Sequence, residues 1–500
     1  MKHLNRFGVW LPVSMFFAMS LPAAGPNVRL VDAVKNTDKA AIRSLLQQHA
    51  DVNAPDVDGA TALHWAARWD DVETAQLLIR GGAKVKAANR YSVTPLSLAC
   101  TNGNAAMIEL LVNAGADPNA ALPGGETPLM TAARTGKVDA VKVLLSHGAN
   151  VQAQEDEGQT ALMWAAAEGN TATVEMLMEF GADSHARSKG GLTALLFAVR
   201  EGRADVVRFL LKAGVSPNET VERSKTSPRH FATLSFAGTN ALLLAVANAH
   251  FELASTLLDA GADPNATGRG WTPLHAITWI RKPGYGTNDP APEGSGSMDS
   301  LELVRRLVAH GANLNARMTR HWSGGTTILN MTGATPFLMA ARTGDAELMR
   351  LFAKLGADPL LPNEDGATPL MVAAGVGTRS PGEDPGPEKE ALEAVRVAVE
   401  LGGDVNAVDK NGETAMHGAA YKQLPAVVEF LYAHGAKVEI WNQKNQLGWT
   451  PLRIAEGVHR TGNLRSSAIT AAALRKVMSE AGVSTVVEPE VLDERPGFRP

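Results

Sequence analysis

Short apolar blocks at helical spacing recur along most of the chain, separated by polar stretches rich in Gly, Asp and Asn. In one such block Val138, Val141, Val143, Leu144 and Leu145 fall on one side of a helix, because positions three and four apart share a helical face. Upstream of these blocks runs a narrower stripe of leucines and paired alanines: Ala66 and Ala67, Ala132 and Ala133, Ala165 and Ala166, Ala340 and Ala341. Alanine favours helix and lets a neighbouring backbone come close. The pattern predicts pairs of short helices, the first thin and tightly packed and the second amphipathic, with turns between pairs.

Two landmarks set the register. Thr-Pro followed by Leu or Phe begins at Thr94, Thr127, Thr272, Thr335, Thr368 and Thr450, with near copies at Thr61, Thr160, Thr193, Asn240 and Thr414. Threonine is a good N-cap, and proline suits the first helical position because its missing N–H would be unpaired there anyway. About twenty residues after each start comes Gly-Ala, as at Gly115, Gly148, Gly181, Gly261, Gly311 and Gly435. Glycine there can take the left-handed conformation that closes a helix. Asp56, Asp58 and Gly59 then supply turn chemistry. The starts at 61, 94, 127, 160 and 193 are each 33 residues apart, as are 335 and 368. A degenerate unit lies upstream of Thr61, which gives about twelve in all.

A 33-residue period opened by Thr-Pro-Leu-His resembles the ankyrin repeat. The resemblance runs from about Leu30 to Gly482. It implies an all-α fold, an α-solenoid of about twelve repeats, each a helix-turn-helix followed by a β-hairpin loop. The array would fill residues 25–483, with 484–500 as a tail. Only His64, His275 and His417 keep the motif histidine; Ser97, Met130, Met163, Leu196, Leu243, Leu338, Met371 and Arg453 replace it elsewhere. In the family this histidine ties adjacent repeats by hydrogen bonding, so packing must compensate where it is lost.

Longer steps interrupt the period: 47 residues from 193 to 240, 63 from 272 to 335 and 46 from 368 to 414. They place insertions near 218–238, 281–297, 318–332 and 377–389, whose Pro and Gly content marks surface loops. Loops of that length are functional or disordered.

The first 24 residues follow another pattern. Lys2 and Arg6 precede an apolar run from Phe7 to Met19, and small residues follow to Gly25. This is the layout of a secretory signal peptide, and the run falls short of the roughly 20 apolar residues of a spanning helix. The expectation is an exported protein, periplasmic or extracellular, without stable membrane insertion after cleavage.

Composition narrows the chemistry. A formal charge of -5 offers no field for a nucleic-acid backbone. The single cysteine, Cys100, rules out an internal disulfide and any multi-cysteine metal site. His49, His147, His310 and His434 occupy one repeat position, at the end of the second helix, where a structural role is expected and no ligand partner stands at metal spacing. No catalytic motif appears, so the sequence predicts a non-enzymatic scaffold with no cofactor and no metal, a monomer that binds a protein or peptide.

The resemblance places partner contacts on a concave surface lined by hairpin tips and first-helix ends. By register, these positions are Arg68 and Trp69, Thr101 and Asn102, Arg134 and Thr135, Glu168, Arg200 and Glu201, Trp279, Arg342 and Tyr421, with Arg90 and Tyr91 at a hairpin. Arginine and tryptophan dominate interface hot spots, and the row Arg68, Arg134, Arg200 and Arg342 suggests an acidic partner. Two alternatives stand beside this reading. The insertions could gather into a small-ligand or catalytic site containing His230, His321 and Trp322, or the protein could be a secreted effector acting in another cell.

Overall fold

Each Thr-Pro landmark opens a helix in the computed structural model, which describes residues 28–222, 238–283, 292–320, 328–379, 381–382, 385–457 and 466–486. The Thr94, Thr127, Thr335, Thr368 and Thr450 hydroxyls accept the N–H three residues on, and proline follows each at the first helical position. First helices of one group stop at a left-handed glycine, as at Gly103, Gly136 and Gly169. The second helices end before another, such as Gly148 at φ +83°.

The described residues form 25 helices, and no strand is assigned among them. They divide into two units, one ending at Ala245 and one beginning at Val246. In the N-terminal unit the first helices Ala62–Arg68, Pro95–Asn102, Pro128–Thr135, Ala161–Glu168 and Ala194–Arg200 each pack on the next. The second helices, from Val72–Arg80 to Ala204–Lys212, form the parallel layer. In the C-terminal unit the first-helix row is Pro273–Arg281, Pro336–Arg342, Pro369–Ala374, Ala415–Lys422 and Pro451–Glu456. A second row runs from Phe251–Asp259 to Ala468–Glu480. The two-layer helical stack is the expected all-α architecture.

The alanine pairs explain the tight first-helix layer: Ala66, Ala67, Ala132, Ala133, Ala165 and Ala166 are fully buried. Leucine there would force the helices apart and overpack the stack. Cys100 sits in this layer, fully buried. On the second helices Val141 and Leu144 are buried, while Val138 and Val143 are half-buried.

The expected β-hairpins differ in detail. Most connections are turns closed by a side-chain acceptor: Asp56 accepts the N–H groups of Asp58 and Ala60, Asn89 those of Tyr91 and Val93, and Glu155 those of Glu157 and Gln159. With these N–H groups committed locally, no strand ladder forms within a turn. Instead, tips bond to the one before them, as in Arg90 N–H to Asp58 O (3.1 Å) and Lys189 N–H to Glu157 O (2.7 Å). Gly191 shows how close the tips come: at φ +78°, a Cβ there would lie 1.7 Å from the Glu222 carbonyl oxygen.

A second link joins repeats through side-chain amides. Asn53 donates to Gly82 O (3.1 Å) and accepts from Lys84 N–H (2.7 Å). Asn119 bonds Gly148 and Asn150 in the same way, and Asn406 bonds Gly435 and Lys437. Gln152 repeats the pattern on Gly181 and Asp183. At the equivalent place His185 instead faces Glu219 at 3.2 Å.

The insertions leave the stack at defined points. A short antiparallel contact between Thr220 and Asn240 closes the base of the 218–238 insertion. The described end of the 281–297 insertion lies on His250, which accepts from Ser295 N–H (3.0 Å). The end of the 318–332 insertion bonds elsewhere, Ile328 N–H to Gly377 O (2.8 Å). In 377–389 the final residues belong to the helix Glu388–Glu400 instead of the loop. The leader residues 1–24, residues 458–465 and most of the tail 484–500 lie outside the described residues. Among those described, no helix is long and apolar enough to cross a membrane.

Candidate functional site

The first-helix ends of the N-terminal unit carry a series of cations laid over aromatic rings. Trp65 and Trp69 stand four apart on one helix face, with ring centroids 6.1 Å apart. The Arg68 guanidinium lies 5.9 Å from the Trp65 centroid and 5.7 Å from that of Trp69. Lys35 of the preceding repeat covers Trp65 at 4.7 Å. Further along, Arg134 covers Trp164 (5.1 Å) and Arg200 covers Phe197 (4.9 Å). At the neighbouring tip Arg90 covers Tyr91 at 4.7 Å. Trp69 is 49% and Tyr91 58% exposed, so both rings offer a face to a partner. Stacking of this kind holds a guanidinium in place and presents it without burying its charge.

Trp65 is positioned from below. Its indole N–H donates to Asp56 (3.1 Å), which also pairs with Lys35 at 2.9 Å. Burial alone would raise the Asp56 acid, but the Lys35 ammonium, the Ala60 and Asp58 N–H groups and the Trp65 indole hold it below its ordinary value. The carboxylate that fixes the shelf is therefore ionised at neutral pH.

The arginine row is not uniform. Arg90 pairs with Asp58 at 2.5 Å, Arg134 lies 3.6 Å from Glu126 and Arg200 pairs with Glu201 at 2.8 Å. Arg68 makes no ion pair among the described residues, and its guanidinium lies over the two tryptophan rings. Among Arg68, Arg90, Arg134 and Arg200, Arg68 is thus the one open to an acidic group.

Other expected contact residues have structural work. Tyr421 is a correction: it is 1% exposed and cannot meet a partner. Its hydroxyl donates to Glu413 (2.9 Å) and accepts from Asn445 (2.9 Å), which draws the ring inward. Asn102 is exposed but donates to the carbonyls of Ala67 and Arg68 and to Asp70, capping the preceding first helix. Thr101 and Thr135 bond carbonyls of their own helices, Ser97 O (2.9 Å) and Ala132 O (2.8 Å). Glu168 and Glu201 are exposed at their helix ends, and Arg342 is half-buried in the C-terminal unit. Trp279 is half-buried and meets Trp271 edge-on at 5.5 Å.

The register of first-helix ends, the seventh and eighth positions after each start, passes over Trp65, Trp164 and Phe197. Their signal is an aromatic at the fourth position, one helical turn before the arginine or across from it in the next repeat.

The histidines act inside the fold. His64 Nδ1 accepts the Thr61 N–H (3.0 Å), and its Nε2 meets Val93 O (3.0 Å) across the repeat boundary. His275 and His417 make the same pair of contacts. Burial keeps all three below their ordinary pKa, with His275 and His417 at about 4. His147 and His434 bond a carbonyl one turn back in their own helices, Val143 O and Phe430 O (2.8 Å each), and His310 faces Asp259 at the end of the preceding second helix (3.2 Å). Among the described residues no group of three or more His, Cys, Asp or Glu is placed to hold a metal ion. His230, His321 and Trp322, named for a ligand site, lie outside the described residues. The described ends of the 281–297 and 318–332 insertions rest on different elements, Ser295 on His250 and Ile328 on Gly377.

Comparison with known proteins agrees with this geometry. The family described as ankyrin repeats (3 copies) matches residues 30–122, 91–155 and 129–221, and the single ankyrin repeat matches 237–269. A Caenorhabditis elegans protein named ankyrin repeat and LEM domain-containing protein 1 homolog is 44% identical over 61 residues, 12% of this chain and 9% of its own length. Mouse ankyrin repeat and SOCS box protein 16 is 31% identical over 121 residues, 24% of this chain and 25% of its own. The C. elegans BRCA1-associated RING domain protein 1 is 38% identical over 80 residues, 16% and 10% respectively. The chain thus spans a quarter or less of the length of these relatives.

Proposed function

We propose, from the premise that the chain is an ankyrin-repeat protein, that it is a non-enzymatic scaffold which captures a protein or peptide on the first-helix ends and turn tips of its N-terminal unit. The observation that carries this reading is the exposed shelf of Trp69 and Tyr91 with Arg68 held between two tryptophan rings. Rigid aromatic faces around an unpaired guanidinium are the composition of a binding hot spot, and the cation favours an acidic or carboxylate-bearing segment. Trp69→Ala and Arg68→Glu should each abolish retention of the partner in a pull-down, while Arg342→Glu in the other unit should not. Equal retention by all three variants would refute the assignment. The basic, apolar and small residues of 1–24 support a partner outside the cytoplasm. Cell fractionation that finds the protein only in the cytoplasm would overturn that address and leave the shelf untouched.

A further inference from the structure

The first-helix ends are open in one unit and covered in the other. At the seventh and eighth positions after each start, Arg68, Trp69, Asn102 and Arg134 are exposed. The same register in the C-terminal unit gives Thr343 and Lys422, at 1% and 5% exposure. Part of the 377–389 insertion lies on them. The Lys422 ammonium donates to the Pro385 carbonyl (2.6 Å), and Pro385 and Gly386 are buried where they cross the helix ends.

The crossing is close enough to call for glycine on both sides. Gly344 and Gly386 have φ of +69° and +82°, and a Cβ on Gly386 would lie 3.2 Å from the Thr343 carbonyl oxygen and 3.4 Å from Lys422 Nζ. Pro387 follows in extended backbone, at φ −58° and ψ 166°, near polyproline II. A proline on each side of Gly386 presets this backbone before it docks, which lowers the ordering cost of the contact. Anchors hold the segment from two directions: Glu390 pairs with Lys282 at 2.7 Å, and Glu388 accepts the Ala426 N–H (2.9 Å). Lys282, Thr343 and Lys422 end three different first helices, so the segment and the helix start behind it bridge several repeats.

We propose that residues 385–387 are a tethered occupant of a peptide-binding surface on the C-terminal unit, and that an extended Pro-Gly-Pro segment of a partner takes their place. Lys422 gives such a segment a donor for its carbonyl, the close approach to Gly344 selects glycine, and the flanking prolines arrive already extended. The tether gives the chain's own segment an effective concentration of roughly 1 mM. The C-terminal unit is thereby closed to weak partners while the shelf of the N-terminal unit stays open. This inference rests on the capture by first-helix ends proposed above and carries it to the other unit. Its readout is confined to Lys422, so the shelf and this seat can each fail alone.

The test follows acetylation of the Lys422 amine in the full chain by mass spectrometry. In the parent chain the amine should react slowly. Gly386→Val pushes a side chain against the Thr343 carbonyl and should unseat the segment, speeding Lys422 acetylation by about tenfold. A blocked peptide copying residues 382–388, Gly-Glu-Asp-Pro-Gly-Pro-Glu, added to that variant at roughly 1 mM, should slow the reaction again. The same peptide carrying Pro385→Ser and Pro387→Ser should not. Hydrogen exchange across Pro425–Ala433 checks that the variant stays folded; if that protection is lost, Gly386→Ala is read in its place. Fast acetylation in the parent, or slow acetylation in the folded variant, would show that the segment does not cover the surface. No protection by the added peptide, or equal protection by its serine form, would make the segment a fixed part of the fold. Each of these results would overturn the proposal.

Discussion

Acid should weaken the C-terminal unit through His275 and His417. Both are buried, at 0% exposure, with Nδ1 accepting a threonine N–H (3.2 Å each) and Nε2 facing a carbonyl of the next repeat at 3.1 and 3.2 Å. Burial away from water disfavours the charged imidazolium, and a proton on Nδ1 would also point at an N–H, so the folded state resists protonation and both pKa values fall to about 4. In the unfolded chain a histidine titrates near ~6.5. Above that pH the ring is neutral in both states and contributes no pH dependence. As pH falls from ~6.5 toward ~4, the unfolded chain takes up protons that the folded chain refuses, and stability drops. Below ~4 both states are protonated and the curve flattens. The full loss is about 3 kcal/mol per histidine, of which about 2 kcal/mol is reached by pH ~5. The control is written in the sequence, since methionine fills the same buried position at Met130, Met163 and Met371. His275→Met with His417→Met should cost about 1–2 kcal/mol per site at neutral pH, from the unpaired carbonyl, and should remove most of the acid loss. Hydrogen exchange of peptides covering Pro273–Arg281 and Ala415–Lys422, corrected for intrinsic rates, reads these local free energies. If the double variant keeps the acid sensitivity of the parent, buried neutral histidine is not its cause.

Four further outcomes follow from the packing. Asn406→Ala removes bonds to Gly435 O and Lys437 N–H, and should cost about 1 kcal/mol in urea unfolding; no change would show that water replaces this link. Asp345→Ala leaves Arg281 without its 2.6 Å partner and uncaps the helix Ala346–Leu355, so a loss of about 3–5 kcal/mol is expected in the same assay. Gly191→Ala drives a methyl into the Glu222 carbonyl and should cut soluble yield sharply, whereas Gly148→Ala, with open space around it, should cost only backbone strain. Burial pushes the Cys100 thiol up, so alkylation should be negligible in the native protein and rapid in denaturant; fast native labelling would contradict its place in the first-helix layer.

The helix register was legible because its signals are local. Thr94 with Pro95 and Gly103 fix both ends of a helix without reference to any other repeat. The turns were read as hairpins from the same Asp and Gly content, yet Asp56 and Asn89 spend their oxygens on nearby N–H groups, a competition that composition does not reveal. The amide links were illegible as links because Asn53 finds its partners Gly82 and Lys84 roughly one repeat later, where only the stacked structure brings them together. At the candidate site, register located Arg68 and Trp69 but also chose Tyr421, whose buried Glu413 and Asn445 partners turned a surface position into a core one. The Arg68 cation stood in the sequence as one of a row; the nearby Glu126 and Glu201 carboxylates distinguish Arg134 and Arg200 from it.

The amide links from one repeat to the next also govern how the chain would yield to a pull on its ends. Each helix pair is held by its neighbours, so tension would extract pairs in succession instead of melting a unit at once. An uninterrupted 33-residue repeat would release roughly 110 Å of chain at ~3.4 Å per residue. Repeats carrying 46, 47 or 63 residues would release proportionally more. A force trace of the single molecule would therefore lengthen in unequal steps, and the sizes of those steps would spell out where the insertions fall.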